Sequence, residues 1–297
     1  MQVATVRRLG VWLVAALSLM SAGCDRGGSA APPSALGSAV PVTCSPTSSP
    51  PLPDEDLKGA GLSEACLLTR LDLKATEGTH TITLLGAYAD AARTVMIVRV
   101  SPDDEGTPQG DLTEDVQGGF GGGGGGGPGA PGDWILYTSA GPQAMAGRIA
   151  SFKAHFVLGD QGPPGLTDPG VTIAFKLRVF SATPLQAPHP FQLGKWQVML
   201  RVLEATPAVI HVQALFVGAH LEDIDPPGPR PNDPITLLDE AGKSLRGVSG
   251  GGSLEAQGAS LDFEWMRPIA AGTYHLNFQL PGATHTVTVN VPAMTIS

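Results

Sequence analysis

Thr79-His80-Thr81-Ile82-Thr83-Leu84-Leu85, followed shortly by Thr94-Val95-Met96-Ile97-Val98-Arg99-Val100, decides the fold class of this chain. Both stretches are rich in β-branched residues and largely alternate, the period of two that sorts side chains onto opposite faces of a strand. Ala89-Asp90-Ala91-Ala92 lies between them. Two such runs around a short turn predict neighbouring strands of a sheet with one buried face.

The same signature recurs on both sides. Trp134-Ile135-Leu136-Tyr137, Ile149 to Leu158, Val171 to Phe180 and Lys195 to Val202 are further strand candidates. After Thr206-Pro207 a second series runs through Val209 to Val217, Ile235 to Leu238, Ser260 to Trp265, Gly272 to Leu280 and His285 to Val291. The 39 glycines and 27 prolines favour turns and extended segments, and no helical pattern of useful length intervenes. The expected fold is therefore all-β, with two immunoglobulin-like β-sandwich domains at residues 66–206 and 207–297. Residues 118–132, containing the run Gly121 to Gly127, are expected to be a glycine-rich loop of the first domain.

Toward the N-terminus the chain changes character. Arg7 and Arg8 precede a 12-residue apolar run, Leu9 to Met20, and then the small residues Ser21-Ala22-Gly23 and Cys24. The run is too short to span a bilayer, and its flanks are those of a secretory signal peptide covering residues 1–23. Ala-Gly-Cys after an apolar run resembles the lipobox of bacterial lipoproteins, in which the cysteine receives diacylglycerol and the chain is cut just before it. Ser21 departs from the Leu usual at that position. The resemblance implies a lipidated Cys24 and a protein lipid-anchored to the bacterial cell membrane on its extracytoplasmic side. Two or more acyl chains give stable anchoring where one gives only reversible binding. Residues 24–65, with Ser48-Ser49-Pro50-Pro51-Leu52-Pro53, are expected to form a flexible linker with little to bury. With Cys24 lipidated, Cys44 and Cys66 remain as an even pair in an oxidising compartment, and a disulfide is expected over two free thiols. It would close a loop of about 20 residues and contribute roughly 3 kcal/mol in the chain-entropy model.

The formal charge of −9 becomes −11 without Arg7 and Arg8, which gives no electrostatic reason to bind nucleic acid. Thr81 to Val95, together with Gly194-Lys195-Trp196 and the turn Asp239-Glu240-Ala241-Gly242, resembles the extracytoplasmic all-β domains of unknown function carried by membrane-anchored anti-sigma-factor proteins. That resemblance implies fold and location, not sigma-factor control, because the chain shows neither a sigma-binding segment nor a spanning helix.

Motifs that might carry chemistry are weak. Gly247-Val248-Ser249-Gly250-Gly251 fits Gly-x-Ser-x-Gly, and Asp262 with His275 or His285 follows in hydrolase order, yet no strand-to-helix elbow surrounds Ser249. Gly242-Lys243-Ser244 lacks the glycine five residues earlier that a phosphate loop needs. The histidines show no helical zinc spacing. Glu222, Asp223, Asp225 and Asp233 cluster around a Pro-rich stretch and are the candidates for Ca²⁺, with Asp103-Asp104-Glu105-Gly106 a second acidic turn. Solvated turns are the plainer reading of both. Trp134, Trp196 and Trp265 fall in strands and read as core. The sequence thus points to a non-enzymatic envelope protein without catalytic residues, metal or cofactor, anchored to the membrane and offering its domains to an envelope protein or ligand that the residues do not identify. A lipid-anchored calcium- or carbohydrate-linked binding protein is the alternative, and a secreted serine hydrolase the third.

Overall fold

Strands β2 (His80–Asp90) and β3 (Thr94–Ser101) pair antiparallel from Thr81↔Ser101 to Ala89↔Thr94, and the N-terminal half is built on this hairpin. The structure, a computed structural model, describes residues 52–77, 80–101, 109–114, 124–138, 145–157, 170–225 and 233–294. Around the hairpin lie β1 (Thr69–Glu77), β4 (Gln109–Glu114), β5 (Gly124–Pro128), β6 (Asp133–Thr138), β7 (Ile149–Val157) and β8 (Val171–Phe180). They form a sheet ordered β1-β2-β3-β6-β5 and a second ordered β4-β7-β8; a short parallel pairing of Ala89 with Val179 and Asp90 with Phe180 joins them at one corner.

The C-terminal half repeats the plan. Its elements are β9 (Thr183–Pro184), β10 (Phe191–Leu193), β11 (Trp196–Ala205), β12 (Val209–Val217), a short helix α2 (Leu221–Ile224), β13 (Ile235–Leu238), β14 (Gly247–Glu255), β15 (Gly258–Met266), β16 (Gly272–Leu280) and β17 (Ala283–Val291). One sheet runs β10-β11-β12-β15-β14 and the other β13-β16-β17. Lettering β2 to β8, and separately β11 to β17, as A to G gives the same result in both halves: A-B-E-D in one sheet and C-F-G in the other. That is the strand order of the constant-type immunoglobulin sandwich. The all-β, immunoglobulin-like expectation is met by this topology.

Each sandwich has its own core. In the first, Ile82, Leu84, Met96 and Val98 face Phe152, Phe156, Ile173 and Leu177, and Phe152 stacks on Phe175 at 5.5 Å. β8 alternates buried and exposed along its length, as a strand covered on one face should. In the second, Val212, Ala214, Phe216, Leu261 and Trp265 pack on Ile235, Leu276, Phe278 and Val289.

Three expected boundaries shift. Residues 52–65, assigned to the linker, are packed: helix α1 (Asp54–Gly59), a 3-10 turn at Ala65–Leu67 and the buried side chains of Leu52, Ala60, Leu62, Leu67 and Leu68 cover Leu85, Tyr88, Val95 and Ile97 on the outer face of β2 and β3. This second cover explains why β3 reads Val-Met-Ile-Val rather than strictly alternating: it is buried on both faces. The few leucines were masked by their Pro- and Gly-rich surroundings. Residues 124–128 of the expected glycine-rich loop are strand β5, paired with β6 from Gly124↔Thr138 to Pro128↔Trp134; residues 118–123 lie outside the described residues. Finally, Pro207 does not separate the domains. β11 pairs with β12 as far as Ala205↔Ile210, so Thr206-Pro207 is a hairpin turn and the change from one sandwich to the other falls between β8 and β11. Thr206 holds the turn by accepting the Ala208 and Val209 N–H groups on its hydroxyl at 3.2 and 3.1 Å.

Candidate functional site

Pairing registers place Glu204, His211, Glu264 and Ser249 in one row across β11, β12, β15 and β14, on the outer face of the second sandwich. Cross-strand neighbours on one face lie about 5 Å apart, so four polar groups in a row must interact. His211 is buried and bridges two acids, with Nδ1 3.2 Å from Glu204 Oε1 and Nε2 3.1 Å from Asp262 Oδ1. Burial alone would strip its charge, but the hydrogen bonds to Asp262 and Glu204 and the charge of Asp262 outweigh it and push its pKa up to about 10. It is therefore an imidazolium at neutral pH. Glu264, only 3% exposed, accepts the Ser249 hydroxyl at 2.8 Å. Burial raises its pKa, opposed by the neighbouring Arg93 charge and the Ser249 hydrogen bond.

Arg93 comes from the first sandwich. Its Nη1 lies 3.7 Å from Glu264 Oε2 and its Nη2 donates to the carbonyls of Ala60 and Gly61 at 2.9 and 3.1 Å, while its side chain is 2% exposed. The turn that presents it is built by Asp90, whose Oδ1 accepts the N–H groups of Ala92 and Arg93 at 2.8 Å and whose Oδ2 accepts the Tyr88 hydroxyl at 2.5 Å. Burial first, then the Asp90 charge, drives the Tyr88 pKa well upward, so the phenol remains a donor. Asp90 and Thr206 sit at the same A-to-B turn of the two sandwiches. Arg267 adds a third strut, donating Nη1 to Thr206 O at 2.7 Å and Nη2 to Pro292 O and Ala293 O. This is a junction: side chains of both sandwiches and backbone carbonyls of the N-terminal segment meet in one desolvated network.

The residues singled out in the sequence fall as follows. Ser249 meets Glu264 and Asp262 meets His211, whereas His275 and His285 stand on β16 and β17 of the opposite sheet, His285 stacked on Phe191 at 3.9 Å. The Ser-Asp-His order is not assembled in space. Asp223 accepts the His220 N–H at 3.2 Å at the start of α2, and Glu222 and Asp233 are exposed. Among the described residues no three His, Cys, Asp or Glu side chains converge on a point suited to a metal. Gly242, at φ 79°, closes the Asp239 turn, in which Asp239 Oδ1 accepts the N–H groups of Ala241 and Lys243. Trp265 is core; Trp196 is half-buried with Lys195 Nζ 4.3 Å from its ring centre. Cys66 is disulfide-bonded. Cys24, Cys44 and Asp103-Asp104-Glu105-Gly106 lie outside the described residues. Sequence reasoning missed Arg93, Glu204, Glu264 and Arg267. The signal was present for Glu264, a charge between Phe263 and Trp265 on a strand, and for Arg93, directly before an apolar run.

No protein-family model and no curated protein matches the chain. Among solved structures, a conserved domain protein from Bacillus anthracis is similar over 75% of this chain and 90% of its own, at 10% identity and a TM-score of 0.48. The titin domains Z1Z2 in complex with telethonin align over 75% of this chain and 100% of theirs, at 15% identity and a TM-score of 0.21. Bovine butyrophilin aligns over 69% and 93%, at 13% identity and a TM-score of 0.20.

Proposed function

We propose that this is a non-enzymatic bacterial envelope lipoprotein, held at the extracytoplasmic face of the membrane through Cys24, that presents its paired sandwiches to a partner. The observation that carries the reading is the run from Arg7-Arg8 through Leu9 to Met20 into Ser21-Ala22-Gly23-Cys24. It is supported by the described architecture around Ser249, whose hydroxyl is donated to a carboxylate that faces Arg93, while the one buried histidine of the network is clamped between acids. A serine nucleophile needs a base free to take its proton and an oxyanion hole beside it. The deciding experiment is metabolic labelling with palmitate in the native host. Wild-type protein takes up label and partitions into detergent, whereas Cys24→Ser accumulates as an unlabelled precursor. Wild-type protein recovered unlabelled from the medium defeats the anchor. A fluorophosphonate probe that labels Ser249 in the folded chain stoichiometrically, and not after heating, defeats the non-enzymatic reading.

A further inference from the structure

The glycine-rich strand β14 is an open edge. It pairs with β15 from Gly247↔Trp265 to Glu255↔Gly258 and ends its sheet, so the backbone groups of residues 250–254 that point away from β15 face no strand among the described residues. Natural edge strands are usually blunted by lysine, proline or a covering element. This one carries neither residue type, and Gly250 to Leu254 are all exposed.

Leu254 sets this edge apart. It stands opposite Ala259, and Gly252 opposite Leu261, both fully buried core residues, so its side chain starts on the core-facing side of the sheet. Yet it is 65% exposed. The edge strand β17 offers no such vacancy: its inward residues Val287, Val289 and Val291 are buried. Beside Leu254 opens a groove of about 410 Å³ lined by His220, Leu221, Glu222, Asp225 and Leu254. Leu221 lies directly against Gly252, where a Cβ would displace it, so the glycine lets α2 form the groove wall. The apolar lining is Leu221 and Leu254, and Glu222 stands exposed at the rim.

We propose that the β14 edge takes an extended, basic polypeptide segment, which adds a strand to the sheet, seats an apolar side chain on Leu221 and Leu254, and turns lysine or arginine toward Glu222. Backbone pairing gives such a contact affinity, and the alternating pockets give it specificity. A second copy of this chain is disfavoured as the occupant. Across a two-fold axis it would set its own Glu222 against this one, on a molecule already at −9. The inference rests on the reading of the protein as a binding lipoprotein and names its partner's chemistry.

The test uses the full-length lipidated chain in detergent micelles and a fluorescein-labelled peptide of alternating lysine and valine, read by fluorescence anisotropy against a counterpart with glutamate for lysine. The lysine peptide binds saturably and at least tenfold more tightly than the glutamate peptide. Leu254→Asp and Glu222→Lys, both at exposed positions, each weaken it tenfold or more while circular dichroism stays unchanged, and Met199→Asp on another exposed site has no effect. Equal binding of both peptides, no saturable binding, or indifference to both groove variants overturns the proposal. So does a dimer by light scattering that Leu254→Asp disperses, since a second copy would then hold the edge. Peptide binding lost while Cys24 still takes palmitate refutes the edge alone, and peptide binding by an unlabelled protein refutes the anchor alone.

Discussion

Arg93 brings a guanidinium into a site that water scarcely reaches, and what matters energetically is what its removal strands. Glu264 would keep a desolvated carboxylate without a cation, and the carbonyls of Ala60 and Gly61 would lose their donor. Breaking one side of a buried pair costs about 3–5 kcal/mol, whereas replacing both partners with apolar groups is often close to neutral. Arg93→Met should therefore lower stability by about that amount in urea unfolding, and Arg93→Met with Glu264→Met should recover much of the loss; a double-variant loss equal to the sum of the Arg93→Met and Glu264→Met losses would mean no coupling. His211 gives a pH signature. Its folded pKa, near 10, lies above the ordinary 6.5, so its stabilisation is complete below pH 6.5 and is lost as pH rises toward 10. The urea midpoint of the wild type should fall across that window relative to His211→Gln, and parallel curves for the two proteins would show that the imidazolium contributes nothing. None of this coupling was legible residue by residue. A cross-strand row exists only once register is known, and register is set by turns and core packing together.

At the scale of elements, glycine has two different meanings in β14 and β15. Gly258 closes their hairpin at φ 145°, and a Cβ there would collide with the carbonyl of Phe216 and come within 2.8 Å of Gly218 N, backbone that cannot yield. Gly251 meets nothing within 4 Å. Gly258→Ala should thus cost about 3 kcal/mol or more, beyond the usual range of mild overpacking, while Gly251→Ala should leave the urea midpoint within about 0.5 kcal/mol or raise it slightly. Similar losses at both positions would contradict the geometry. The strands themselves were readable where one face is exposed, as in β8 and β17, because period-two alternation reports single-sided burial directly. It failed where chemistry is ambiguous. Thr206-Pro207 suits a linker as well as a tight turn, and only the pairing of Ala205 with Ile210 decides for the turn. The polyglycine run carries no side-chain pattern at all, so nothing in it distinguishes the D strand of the first sandwich, β5, from a loop, although β14 puts a second glycine-rich run at the same D position.

For the whole molecule, the segment from Leu52 to Leu68 is part of the folded body. It lies on the outer face of β2 and β3, shares a buried cluster with Ala208 and Val209 at the β11–β12 turn of the second sandwich, and places Asp56 so that its Oδ1 accepts the Ala130 N–H at 2.7 Å. It also contains the disulfide-bonded Cys66. A chain entering through this segment is fastened at the junction that Arg93 and Glu264 span, so force on an anchor would reach both sandwiches at once. Limited digestion with subtilisin should accordingly leave a fragment that starts no later than Leu52 and keeps both sandwiches on one chain. Leu52, Ala60 and Leu62 are buried, and a protease needs an open backbone. Mass mapping of the same fragment family without reductant should join Cys66 to Cys44, the pairing that the proposed lipidation of Cys24 would leave, and reduction should expose residues 52–68 to faster cleavage by removing the loop closure that restrains the segment. Cleavage between Phe180 and Trp196 that releases two separately stable halves would show instead that the sandwiches are independent and that the segment belongs to the first alone.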